Sequence, residues 1–85
     1  MSESDKKLSA DIGAEIRRIR KERGISALKL SEKCGVSWTH IYKIETGTHG
    51  TSLTALSKIC ESLGVNMADV MPKSQGKEVI LNARN

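Results

Sequence analysis

Three times in this chain a glycine is followed by an aliphatic residue and then by a helix-capping residue: Gly24-Ile25-Ser26, Gly35-Val36-Ser37 and Gly64-Val65-Asn66. Each triplet closes one helix and opens another. Glycine enters the left-handed conformation that ends a helix without a Cβ penalty, and the aliphatic residue packs back on the core. Ser or Asn then accepts a hydrogen bond from an N–H of the next helix. A fourth stop, Gly47, leads into a longer polar loop, Thr48-His49-Gly50-Thr51, before Ser52 caps again. Connections this short join short helices. The aromatic content of 2% also falls below what a small barrel or sandwich requires of its strands.

Between these marks the apolar residues recur at helical spacing. Leu8, Ile12, Ile16 and Ile19 share one face of the first segment, with Ser9 placed as its cap. Leu30 and Cys34 mark the second segment and Ile41 and Ile44 the third, where Val36 and Ile41 flank Ser37 as a hydrophobic staple. Leu53, Leu56, Ile59, Cys60 and Leu63 mark the fourth. A last short turn from Met67 to Met71 has Val70 inward and Asp69 three residues after the Asn66 cap, and Pro72 closes it. The expectation is an all-α, compact five-helix domain with helices over 9–23, 27–34, 38–46, 53–63 and 67–71. It is preceded by a loose arm (1–8) and followed by a polar tail (72–85). Within the tail, Val79-Ile80-Leu81 reads either as disordered chain or as an edge strand used in dimerisation.

Eighty-five residues supply one small core and no second domain, since a chain this short buries only roughly 60% of its unfolded surface. That size leaves little room to enclose a substrate. No P-loop, dinucleotide fingerprint, zinc-protease helix or nucleophile elbow occurs, so an enzyme is not expected. No apolar run approaches a membrane span and the first residues lack the features of a signal peptide, which gives a cytoplasmic expectation with no membrane partner. Cys34, His40, His49 and Cys60 match no zinc-finger spacing and read as core and surface residues; no metal or cofactor is expected.

The formal charge of +4 is unevenly spread. Residues 12–43 carry eight bases against three acids, whereas 44–71 carry Lys58 against Glu45, Glu61 and Asp69. One half is suited to an anionic partner, and a polyanion such as nucleic acid fits that asymmetry. Two helices of about eight and nine residues joined by a glycine-containing turn, Ala27 to Thr46, form a helix-turn-helix layout whose second helix is free to enter a major groove.

The residues in and around this layout resemble the lambda-repressor/Cro type of helix-turn-helix domain, the XRE family. The carrying stretches are Ile12-Gly13-Ala14-Glu15-Ile16-Arg17 with Arg20, Arg23-Gly24-Ile25-Ser26, Leu30 through Ser37, Ile41 through Gly47, and Ser52-Leu53 through Leu63-Gly64-Val65. The resemblance spans about 12–71 and implies a homodimeric transcriptional regulator, a repressor, on a pseudo-palindromic double-stranded DNA operator. It assigns base contacts to Ser37, Trp38, Thr39, Tyr42 and Lys43. Phosphate contacts fall to Arg17, Ser26, Thr48, His49 and the backbone at Ala27. Arg20 and Glu45 match a structural ion pair. The apolar Met67, Val70 and Met71 are expected to form the dimer interface. Three departures stand out: Ala27 where the family usually has glutamine, Leu28 where it is usually polar, and Gly50-Thr51 in place of Asn-Pro. An antitoxin-like module that holds a partner protein through its tail is the competing reading.

Overall fold

In the computed structural model, which describes residues 3–48 and 50–72, three of the four α-helices begin where a serine side chain caps them. The elements are α1 (Glu3–Glu22), α2 (Ala27–Cys34), α3 (Trp38–Glu45), α4 (Leu53–Leu63) and a closing 3-10 turn (Met67–Val70). The Ser26 hydroxyl accepts from the Lys29 N–H at 3.0 Å, Ser37 from His40 at 3.1 Å and Ser52 from Ala55 at 3.1 Å. Each cap satisfies one of the N–H groups that a helix leaves without a carbonyl partner at its start. The ends are equally local. The Ile25 N–H reaches back to the Arg20 carbonyl at 3.1 Å, Thr48 to Lys43 at 3.0 Å and Val65 to Cys60 at 3.0 Å, the pattern that follows a left-handed glycine.

Two boundaries differ from expectation. The segment 1–8, expected as a loose arm, is helical from Glu3, and Ser9 lies inside α1 rather than capping it. Glu3 and Asp5 place negative charge in the first turn, where the helix dipole favours it, and Lys7 pairs with Asp11 one turn on at 3.5 Å. Leu8 packs against the core and anchors that extension. At the other end the expected fifth helix is a single 3-10 turn, so there are four α-helices among the described residues. The Asp69 carboxylate accepts from the Asn66 N–H at 2.8 Å, while Met71 is already extended (φ −78°, ψ 146°), as the residue before a proline prefers.

The core draws Ile12, Ile16 and Ile19 from α1, Leu30 from α2, Ile41 and Ile44 from α3, Leu56, Ile59, Cys60 and Leu63 from α4, and Val36 and Val70 from the connections. No polar or charged residue among those described is buried with it. Helix α1 lies against α3, and α2 packs on both α3 and α4. The α1–α3 approach depends on Gly13: a Cβ there would stand 2.0 Å from the Ile44 carbonyl oxygen. Gly47 meets the same helix, since its Cβ would lie 2.8 Å from Ala10 Cα. The carboxyl end of α3 is thus pressed onto α1 at two glycines.

Candidate nucleic-acid interface

Helix α3 turns Ile41 and Ile44 into the core and leaves Ser37, Trp38, Thr39, Tyr42 and Lys43 exposed. Residues four apart on a helix lie almost above one another, so 38 and 42 form one strip and 39 and 43 a second. The structure separates the strips further. Trp38 and Tyr42 stack, ring centroids 6.1 Å apart and planes 24° apart, and line a hollow with Arg17, Ala27 and Thr46. Ser37, Thr39 and Lys43 line a shallow concavity on the other side together with His40. The five expected base readers therefore lie on one helix surface but form an aromatic half and a polar half. His40, considered in the sequence only as a metal ligand, joins the polar half; its position one residue after Thr39 was the available signal.

The floor of the aromatic hollow is held by Arg20 and Glu45. The guanidinium donates from Nε to Glu45 Oε2 at 2.7 Å and from Nη2 to Oε1 at 2.9 Å, and its Nη1 donates to the Ile25 carbonyl at 2.9 Å. The two side chains are only 11% and 7% exposed. The bonds to Glu45 raise the Arg20 pKa above its ordinary value against the opposing effect of burial. The guanidinium thus bonds to both other polar groups of this junction, the Glu45 carboxylate and the Ile25 carbonyl. The pair joins α1, the turn before α2 and the end of α3.

Arg17 differs from its neighbours on α1. Arg18 is taken up by Glu15 and Glu22, whereas Arg17 is exposed at the hollow's edge and makes no hydrogen bond or ion pair among the described residues. Ser26 uses its hydroxyl to cap α2, and Thr48 shares a hydrogen bond with Thr46 at 2.8 Å. Ala27 is half-buried beside the hollow and offers its backbone N–H at the start of α2. His49 lies outside the described residues, as does the tail from 73 onward with Val79, Ile80 and Leu81.

Elsewhere on the surface, Leu8, Ile12, Leu53, Leu56, Met67 and Met71 line an apolar groove of about 490 Å³. Val70 is fully buried in the chain's own core, as its inward reading had it and against its assignment to a dimer surface, because the 3-10 turn directs it beneath α1 and α4. Leu53, expected inward, is 73% exposed. It occupies the first position of α4, beyond the edge of the core that Leu56 fills. Among the described residues no helix is long and apolar enough to cross a membrane, and Cys34 and Cys60 are both free thiols.

Residues 16–70 match the helix-turn-helix family. The chain is 37% identical over 60 residues to the control protein C.BamHI of Bacillus amyloliquefaciens, covering 69% of this chain and 74% of that protein. It is 29% identical over 70 residues to the immunity repressor of Bacillus phage phi105, covering 82% of this chain but only 46% of the repressor, so it spans less than half of that relative's length. Among solved structures, the DNA complex of SinR, the master regulator for biofilm formation, superimposes with a TM-score of 0.67 at 33% identity, covering 69% of this chain and 95% of the SinR chain in that structure. With the fold, the exposed α3 and these relatives in agreement, the chain belongs to the XRE-type helix-turn-helix family of DNA-binding transcriptional regulators.

Proposed function

We propose that this chain represses transcription by binding a pseudo-palindromic double-stranded operator as a homodimer, with α3 in the major groove and α2 across the backbone. The observation that carries the reading is the exposed surface of α3. Five side chains able to contact base edges stand on it, and Arg17 stands beside it as an exposed cation. Ser37, Trp38, Thr39, Tyr42 and Lys43 contact bases; Arg17, Ser26, Thr48, His49 and the Ala27 backbone hold phosphates. Two relatives carry the names immunity repressor and control protein, which supports a regulatory task of this kind. The apolar groove supports the dimer: Met67 and Met71, with Leu8 and Leu53, present hydrophobic surface that a second copy would cover.

Selection of bound duplexes from a random pool gives the operator, and titrations of operator and random DNA at several salt concentrations then assign the roles. Lys43→Ala weakens the selected site by roughly 1 to 3 kcal/mol and flattens preference at one base pair. Arg17→Ala weakens every sequence alike and lowers the salt slope by about one unit per subunit. Sedimentation of the chain on its operator shows two copies, with half-sites about 10 base pairs apart. No preferred sequence, or a single copy on DNA, refutes the reading.

A further inference from the structure

The stacked pair Trp38 and Tyr42 is an unusual feature to leave in water. The rings are 52% and 58% exposed, and among the described residues they account for two of only four large hydrophobic side chains left exposed. Their stacking holds them as one surface, so little side-chain freedom remains to be lost on contact. The hollow they line, about 580 Å³, has the small Ala27 on its α2 side, and Arg20 and Glu45 within it are already bonded to each other. Apart from Arg17 at the edge, its remaining polar capacity lies in the Tyr42 hydroxyl and the Trp38 indole N–H, which leave the ring faces themselves apolar. The aliphatic polar side chains Ser37, Thr39 and Lys43 stand on the other strip.

The duplex major groove offers one feature that rewards an apolar surface and no hydrogen-bonding group, the methyl on C5 of thymine, which 5-methylcytosine also carries. We propose that Trp38 and Tyr42 form a platform that reads the C5-methyl group of a pyrimidine, while the polar strip reads hydrogen-bonding edges and Arg17 holds the flanking phosphate. Recognition then responds to C5 methylation of the operator. This inference rests on the operator-binding reading above, which fixes α3 in the major groove. A stacking platform for unpaired bases would use the same rings. The cation beside the hollow and the polar strip next to it favour the duplex edge, where phosphate, methyl and hydrogen-bonding groups occur together.

The test uses the full chain and its selected operator, with deoxyuridine replacing each thymine in turn. At one position per half-site, loss of the methyl weakens binding about fourfold, the worth of one buried methyl-sized group. Cytosine placed opposite guanine at that position binds more tightly once it is 5-methylated. In Trp38→Ala and Tyr42→Ala, whose helix content and melting are compared with the parent, the deoxyuridine penalty shrinks toward one. An operator with no methyl-dependent position, a penalty unchanged in both variants, or tighter binding of the corresponding single strand overturns the inference. Operator binding that persists without methyl dependence sinks only this proposal. Absence of any preferred duplex sinks the operator reading as well.

Discussion

The Arg20–Glu45 bridge is the contact whose removal should be felt furthest. Glu45→Ala deletes both acceptors of the fork and leaves a guanidinium that is 11% exposed with one remaining bond, to the Ile25 carbonyl. Breaking a buried pair by removing one partner costs about 3 to 5 kcal/mol. The surviving carbonyl bond and the exposed edge of Arg20 place this case near the lower figure. At roughly 4 to 8 °C per kcal/mol for a domain of this size, the melting temperature falls by about 12 to 24 °C. Arg20→Met should cost less, because Glu45 can turn toward water from its position at the end of α3. The double variant Arg20→Met with Glu45→Leu removes both sheltered charges and should recover at least about 1.5 kcal/mol relative to the sum of the single changes. Urea unfolding followed by circular dichroism measures all three. A bridge this sheltered is screened little, so the cost persists in high salt, unlike any from the exposed Lys7–Asp11 pair. Single costs that add to within about 0.5 kcal/mol would mean the two residues act independently, and the bridge would be a coincidence of geometry with no energetic role.

Two glycines should respond differently to substitution. Gly13→Ala gains roughly 1 kcal/mol of helix propensity but drives a methyl into the Ile44 carbonyl, so stability falls, and weakened DNA binding accompanies it as α1 and α3 separate. Gly35→Val meets open space at φ +74°, so its cost is the conformational penalty of roughly 1 to 2 kcal/mol, with base preference unchanged at temperatures where the variant is folded; altered preference without loss of stability would contradict this. Burial, with a smaller contribution from the Asp69 charge, pushes the Cys60 thiol above its ordinary value of 9.0. The unfolded thiol ionises first, the folded chain then holds more protons, and stability falls as pH rises past 9. Cys60→Ala should remove that part of the slope, as read from chemical unfolding at pH 8 to 10.

How far the fold was legible follows the range of the interactions involved. The caps at Ser26, Ser37 and Ser52 each bond to a backbone N–H three residues ahead, so residue type and spacing were enough to place them. The start of α1 lay outside the expectation because the first apolar residue of its periodic face, Leu8, comes well after Glu3, and Ser9 beside it offered a competing cap. Its extension relies on the dipole, on one pair and on Leu8, none of which is a punctuation signal. Val70, read both as turned inward and as part of a dimer surface, and Leu53, read as inward, part company for a common reason. Both are apolar residues near an element's end, and only the tertiary arrangement decides that one points beneath α1 while the other lies outside the core.

The interface shows the same division. Helical spacing alone separates Trp38 and Tyr42 from Thr39 and Lys43, but it cannot say which strip faces α1 and Arg17. That orientation is set by contacts distant in sequence: Gly13 against Ile44, Gly47 against Ala10, and Arg20 against Glu45. All three act on the last turn of α3 or on the residues just after it. Rotation of α3 about its axis would have to break the bridge and drive side chains into the α1 backbone. The residues that stabilise the domain therefore also fix which side chains meet a base edge. Substitutions at Gly13 or Glu45 should alter DNA binding without touching DNA, and they should do so in proportion to the stability they remove. Substitutions at Lys43, Trp38 or Tyr42, whose side chains stand in solvent, should change recognition with little effect on melting.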